Sequence, residues 1–277
     1  MGLRIATNVS ALNAQKNLYM TNINANRSMA RLASGQRINQ ASDDAAGLAI
    51  SENLKAQIRG GRQANRNAND GISLVQVAEG SLNEVSNMLI RLRELGVQAA
   101  SDTIGDTERK FVDVEYQQLK SEIQRVTEST QFNGYDLLNG TGQVIDIQVG
   151  VNNDPFKDRI SFNSAAANST LEALGITAES VASKEQAQLS LDAVDTAMVS
   201  VNAIRANFGA MQNRLVSTSN NLLVWDENIS AANSRIRDAD IAAETTEMTR
   251  NNILMQAGVS ILGQANSMQQ IALKLLT

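Results

Sequence analysis

The chain has 277 residues, with 24 basic and 29 acidic side chains, one proline, and neither histidine nor cysteine. The lack of imidazole and thiol groups excludes an ordinary zinc site, a histidine-based triad and a cysteine nucleophile. The formal net charge of -5 gives no reason to expect nucleic acid as a partner, and no stretch stays apolar for the roughly 18 residues of a membrane span.

The first predicted element is an amphipathic helix close to the amino terminus. Its apolar residues are spaced alternately three and four apart, which places them on one stripe of the helix. This stripe predicts subunit-interface residues at Ile5, Val9, Leu12 and Ile23. Lys16 and Asn26 interrupt the stripe, and polar residues at such positions typically lower stability while selecting a partner. We therefore expect this helix to pair with another helix rather than to fold alone.

Two further helices are predicted in the first half of the chain. The same spacing runs through residues 72–99 and again through residues 112–126. Asp43 and Asp44 precede an alanine-rich helical stretch. Their carboxylates fit an amino-terminal cap and the helix dipole better than a catalytic or metal-binding pair.

A small β element is predicted near residues 132–165. The dipeptides at 133–134 and 139–140 are both Asn-Gly, which favours tight turns because both residue types tolerate positive φ. Apolar residues then alternate with polar ones through 145–149 and through 160–162. We expect short strands there, followed by a connection back into a long helix.

The longest predicted helix carries a stripe from Val194 to Ile236. It would extend for roughly 60 Å at 1.5 Å per residue, and other helices must cover its stripe. Trp225 lies on the stripe, and we interpret it as packed core rather than as a separate binding residue.

The last predicted helix repeats the pattern, with subunit-interface residues at Met248, Met255, Val259, Leu262, Leu273 and Leu276. Residues 1–42 contain five basic residues and no acid, whereas residues 238–247 contain four acids. Opposite charge favours pairing of the two chain ends, within one subunit or between subunits.

The fold class is predicted to be predominantly all-α, a long coiled-coil-like helical rod with a small β-hairpin element and paired terminal helices. The predicted domains are an amino-terminal arm (1–42), a rod (43–235) and a carboxyl-terminal arm (236–277).

Several segments resemble the two terminal signatures of bacterial flagellins. The amino-terminal matches are LASGQRIN at 32–39 and DDAAGLAIS at 43–51, and the carboxyl-terminal matches are SRIRDAD at 234–240 and QAN at 264–266. Met268 stands where many relatives have proline. The resemblance covers nearly the whole chain and leaves no room for the large outer domains that many family members carry.

This resemblance implies a structural subunit of the flagellar filament used for swimming, secreted by type III export and located outside the cell. Its paired terminal arms would form an inner tube and become ordered on polymerisation. The implied partners are other copies of the chain, an export chaperone, the filament cap and hook-junction proteins, with no cofactor, no nucleic acid and no membrane insertion. A hook-filament junction protein stays open as an alternative. An enzyme using only carboxylates and hydroxyls is a more distant alternative, because no motif places a pair of acids.

The resemblance also marks a candidate receptor surface. Arg91, Leu95 and Glu115 stand at positions that match the flagellin surface recognised by a vertebrate Toll-like receptor, whereas Ile90 departs from the polar residue common there. Two interpretations stay open for this surface, receptor recognition and packing between subunits, and we favour packing.

Overall fold

A computed structural model describes residues 7–141 and 144–274, with side chains described through residue 268. The described residues form five α-helices and two hairpins of short strands. The helices are α1 (Val9–Ser34), α2 (Ala45–Ala99), α3 (Asp106–Ser129), α4 (Lys184–Arg237) and α5 (Ile241–Lys274). The strands are β1 (Gln131–Phe132), β2 (Tyr135–Asp136), β3 (Val144–Gln148) and β4 (Arg159–Asn163). The predicted fold class, predominantly helical with a small β element, is confirmed.

Local capping explains where the helices begin. Asp44 Oδ1 accepts a hydrogen bond from Gly47 N at 2.8 Å, which is the amino-terminal cap predicted for α2. Asn8 Oδ1 caps α1 in the same way through Ala11 N at 2.9 Å. The helix α2 begins well before the apolar stripe at residue 72, because an alanine-rich segment with a good cap is helical without a stripe.

Both hairpins are antiparallel. Asn133 and Gly134 connect β1 to β2 with φ values of 50° and 81°, as a two-residue turn of type I′ requires. In the second hairpin, Ile147 pairs with Ile160, so one face of β3–β4 is apolar and packs on the helices.

The described chain divides into two compact units, and the division falls within α2 and α4. Unit 2 comprises residues 57–227, and unit 1 comprises the described residues before and after it. Unit 2 holds a continuous hydrophobic core, in which the rings of Phe162 and Phe208 lie 5.4 Å apart. Its largest fully buried side chains include Tyr116, Leu82, Leu89, Leu92, Leu95, Ile123 and Leu215.

In unit 2, α2 and α4 run antiparallel. Arg93 Nε donates to Asp195 Oδ1 at 2.7 Å, and Ser219 Oγ bonds to Asn65 Oδ1 at 3.1 Å further along the pair. The α4 stripe is buried from Val194 to Leu215, apart from the half-buried Met211, and becomes half-buried towards Trp225. The long helix predicted from this stripe is present as α4, and within unit 2 its stripe packs against α2.

The connection between β4 and α4 is fixed by polar side chains of α3. Lys120 Nζ donates to the carbonyl oxygens of Thr177 at 2.9 Å and Glu179 at 2.6 Å. Asp113 Oδ1 accepts from Val181 N at 2.8 Å. Burial lowers the pKa of Lys120, but its two carbonyl partners satisfy the ammonium group. A segment without long regular structure is therefore held firmly in place.

The buried phenol of Tyr116 should make the folding stability fall at alkaline pH. Burial raises the pKa of Tyr116 from 10.0 to about 12, so above pH 10 the unfolded chain releases this proton before the folded chain does. Folding stability should therefore fall as pH rises from 10 to 12, by up to about 2–3 kcal/mol from this residue. Tyr116→Phe should remove that fall. Denaturant unfolding of both proteins at pH 8 and pH 11, followed by Trp225 fluorescence, measures the difference, and an identical pH dependence would contradict it.

Candidate self-assembly surface

The terminal helices α1 and α5 pair in antiparallel orientation within one chain. Asn8 Nδ2, before α1, donates to Ala265 O near the end of α5 at 3.0 Å. Arg31 Nη1, in the last turn of α1, contacts Glu244 Oε1 in the first turn of α5 at 2.9 Å. This ion pair joins the basic amino-terminal arm to the acidic residues at 238–247, as the charge distribution predicted.

A short backbone link closes the end of this helix pair. Arg37 N donates to Arg237 O at 2.6 Å, and Ala239 N donates to Gly35 O at 3.0 Å. Gly35 has φ 69°, the left-handed conformation that commonly ends a helix and that glycine adopts without strain. Asp240 Oδ1 then accepts from Ala242 N at 2.9 Å and so caps α5.

The contact between α1 and α5 buries mostly small or polar side chains. Ala14, Ala25 and Ser28 are buried on α1, and Asn251 is buried on α5. A methyl group added at Gly258 would lie 3.1 Å from Leu18 Cδ1, so the two helices approach closely there. Because buried apolar area sets the hydrophobic free energy, this contact stabilises the pair only modestly.

The predicted subunit-interface residues fall into two groups. Ile23, Met248, Met255 and Leu262 are half-buried, and Val9, Leu12 and Val259 are between 55% and 59% exposed. Ile5 and Leu276 lie outside the described residues. Leu273 lies within α5, and its side chain is outside the described part.

Further large apolar side chains on these helices are also exposed. They are Tyr19, Met20, Met29, Ile241, Ile253, Leu254, Ile261 and Met268. Tyr19 lies on the predicted α1 stripe and Met268 beside the α5 stripe, whereas the stripe analysis missed the others. A signal was present in the sequence at residues 253–255, where Ile, Leu and Met are consecutive, because three consecutive helical residues cannot share one stripe. The pair therefore presents apolar side chains on more than one face.

This arrangement suits association with further helices. Large exposed apolar patches on a folded chain mark interaction sites, because water-exposed apolar area is unfavourable. Within the described residues, no helix has both the length and the hydropathy to cross a membrane.

The candidate receptor residues lie in unit 2. Arg91 Nη2 contacts Glu115 Oε1 at 2.9 Å, which joins the exposed faces of α2 and α3. Hydrogen bonds that Arg91 donates to the carboxylates of Glu94 and Glu115 raise the pKa of Arg91. Leu95 is 1% exposed and belongs to the core, so the structure brings Arg91 and Glu115 together at the surface and places Leu95 beneath it.

Comparisons with known proteins agree at both ends of the chain. The sequence profile of the bacterial flagellin N-terminal helical region matches residues 5–143, and that of the C-terminal helical region matches residues 191–276. A flagellin of Halalkalibacterium halodurans is 44% identical over 269 residues, covering 97% of this chain and 98% of its own length. A flagellar filament core protein of Brachyspira hyodysenteriae is 39% identical, covering 98% of this chain and 99% of its own length.

A solved structure is similar as well. The crystal structure of Bacillus cereus flagellin aligns with a TM-score of 0.51 and 33% identity, covering 57% of this chain and 88% of the crystallised chain. Both terminal regions and nearly the full length are thus similar to flagellins. The chain belongs to the bacterial flagellin family.

Proposed function

We propose that this flagellin is a structural subunit, and not an enzyme, that polymerises into the bacterial flagellar filament used for swimming. The observation that carries the proposal is the row of large apolar side chains left exposed on both α1 and α5. Other copies of the same helix pair can bury them. The family membership supports a filament subunit, and no observation favours the alternative of a hook-filament junction protein.

The two arms, residues 1–42 and 236–277, are the proposed inner-tube domain, and residues 43–235 are the proposed rod. The interface is proposed to include Ile5, Val9, Leu12, Ile23, Met248, Met255, Val259, Leu262, Leu273 and Leu276. The small, polar contact between α1 and α5 supports a weakly ordered state of the arms in the monomer, because fixing each backbone residue opposes folding. Neighbouring subunits would supply the missing apolar burial, so the arms become ordered as the filament grows.

The proposed location is extracellular, after type III export. Proposed partners besides other copies are an export chaperone, the filament cap and hook-junction proteins. Arms that are incompletely ordered before assembly would suit both a narrow export channel and binding by a chaperone.

A single charge on the exposed arm surface tests the assembly proposal. Leu12→Asp places a carboxylate where a neighbouring helix would bury leucine, so we expect filament growth to stop or its critical concentration to rise about tenfold or more. The adjacent Asn13 is also exposed, and Asn13→Asp adds the same charge as a matched control. Sedimentation and electron microscopy measure assembly. Normal filaments from Leu12→Asp would contradict the proposed interface.

The surface around Arg91 is proposed to serve packing between subunits, with recognition by a vertebrate Toll-like receptor as the second candidate. The exposed Arg91–Glu115 pair supports either role, since it is accessible on a single chain. Leu95 would support this surface by packing in the core of unit 2 under Arg91 and Glu115.

Arg91→Ala separates these two roles. If packing dominates, the variant assembles less well, while receptor signalling by the monomer stays unchanged. Signalling by purified monomer and sedimentation of polymer measure the two effects. Lost signalling beside normal assembly would reverse the assignment.

A further inference from the structure

The chain contains two Asn-Gly dipeptides, and the structure places them in different environments. Asn133 and Gly134 form the exposed turn between β1 and β2, where a methyl group added at Gly134 would meet no atom within 4 Å. Among the described residues, no group is hydrogen-bonded to the side-chain amide of Asn133 or to Gly134 N. This first pair is therefore open to water, and no polar contact holds its side chain.

The second Asn-Gly pair is held on both sides. Asn139 Nδ2 donates to Asp136 Oδ2 at 2.7 Å, and Asn139 Oδ1 accepts from Thr141 N at 3.1 Å. A methyl group added at Gly140 would overlap the side chain of Asn168, so the backbone is closely packed there. Both residues of this pair are half-buried. The second pair thus provides an internal reference with the same dipeptide sequence.

An asparagine that precedes glycine is able to react with the following peptide bond. The glycine nitrogen attacks the side-chain amide carbon, a five-membered succinimide ring closes, and ammonia leaves. Glycine favours this step because it has no β-carbon to shield its nitrogen. Water then opens the ring at either carbonyl, which produces aspartate or isoaspartate. In isoaspartate the main chain runs through the former side chain and is longer by a methylene group.

Ring closure requires Gly134 N to lie on the same side of the Cα–C bond as Asn133 Cβ. The first central residue has ψ of about +30° in a type I′ turn, which holds the nitrogen far from Cβ, and about −120° in a type II′ turn, which eclipses the two atoms. Both turn types close a two-residue hairpin, so rotating the single peptide unit between Asn133 and Gly134 exchanges them without changing the strand register. Gly134 tolerates the change in the sign of φ that this rotation requires.

The rotated turn is a minor state of the folded chain. Asn133 has φ 50°, and this φ combined with the new ψ lies outside the regions that an L-residue favours. The rotation leaves the pairing of β1 with β2 intact, so the hairpin does not have to open. At the second pair, the two hydrogen bonds of Asn139 and the contact with Asn168 oppose a comparable rotation. The structure therefore distinguishes a reactive Asn-Gly pair from a protected one.

We propose that Asn133 is a site of spontaneous covalent modification, at which Gly134 N attacks Asn133 Cγ, ammonia leaves, and water hydrolyses the succinimide to aspartate or isoaspartate. Hydroxide accelerates ring closure by removing the amide proton of Gly134, and the exposed turn gives water and hydroxide access. Either product adds a negative charge to unit 2. The isoaspartate product also lengthens a turn whose two-residue length fixes the register of β1 against β2.

Ageing of the purified full chain tests the site. Peptide mapping by mass spectrometry follows the conversion of both asparagines at neutral and at mildly alkaline pH. In the folded chain we expect Asn133 to convert about tenfold or more faster than Asn139, a ratio that a small difference in activation free energy produces. Both rates should rise with pH, and in denaturant they should converge. Hydroxylamine, which attacks the succinimide, should cleave the folded chain after residue 133.

The rates in the folded chain decide the outcome. Equal rates at the two sites, or faster conversion at Asn139, would overturn the proposal. It would also be overturned if Asn133 stayed intact in the folded chain while both asparagines reacted in denaturant, because the folded turn would then be protective.

Two matched variants locate the product. Asn133→Gln keeps the amide but would need a six-membered ring, which closes far more slowly, whereas Asn139→Gln makes the same change at the reference pair. An isoaspartate-specific methyltransferase should label aged wild type and aged Asn139→Gln, and should not label aged Asn133→Gln. Circular dichroism checks that both variants keep the fold. Labelling of Asn133→Gln at the wild-type level would place the isoaspartate elsewhere and refute the assignment.

Discussion

The central constraint on this molecule is apolar surface that α1 and α5 cannot bury against each other. The side chains fully buried on these two helices are alanine, serine and asparagine, while the leucine, isoleucine, valine and methionine side chains on them are half-buried or exposed. The ion pair between Arg31 and Glu244 fixes which ends meet, but a partly exposed pair adds little stability. In the proposed filament, other copies of the chain supply the burial that stabilises these helices.

Unit 2 differs from the terminal helices, because its own helices and strands cover its apolar stripes. The stripe of α4 is buried where α2 and β4 face it, and Phe162 meets Phe208 there. Charged groups in this core are satisfied by backbone carbonyls, as for Lys120 and Arg109. Unit 2 has a complete core, whereas the terminal helices have an incomplete one. This combination suits a subunit in which unit 2 stays folded before assembly and the terminal helices gain apolar burial on assembly.

Much of this architecture could be predicted because it depends on local sequence. Three-four spacing identified the helices, the Asn-Gly pair at 133–134 identified a turn, and Asp44 identified a cap. The binding of Lys120 and Arg109 to distant carbonyls could not be predicted, since it depends on tertiary geometry. The burial of Leu95 beneath a charged surface depends on the packing of α2 against α3. Interface residues were predicted only on single stripes, so the second apolar face of the terminal helices, including Leu254, was missed.

Residue-level hydrogen exchange on monomer and on polymer of the same chain tests the central claim most directly. The account predicts that amides of α1 and α5 exchange rapidly in the monomer and become strongly protected in the polymer. Amides of α2 and α4 within residues 57–227 should be protected in both states, which provides an internal reference. If α1 and α5 were as protected in the monomer as the unit 2 helices, their order would not depend on neighbouring subunits, and the account would be contradicted.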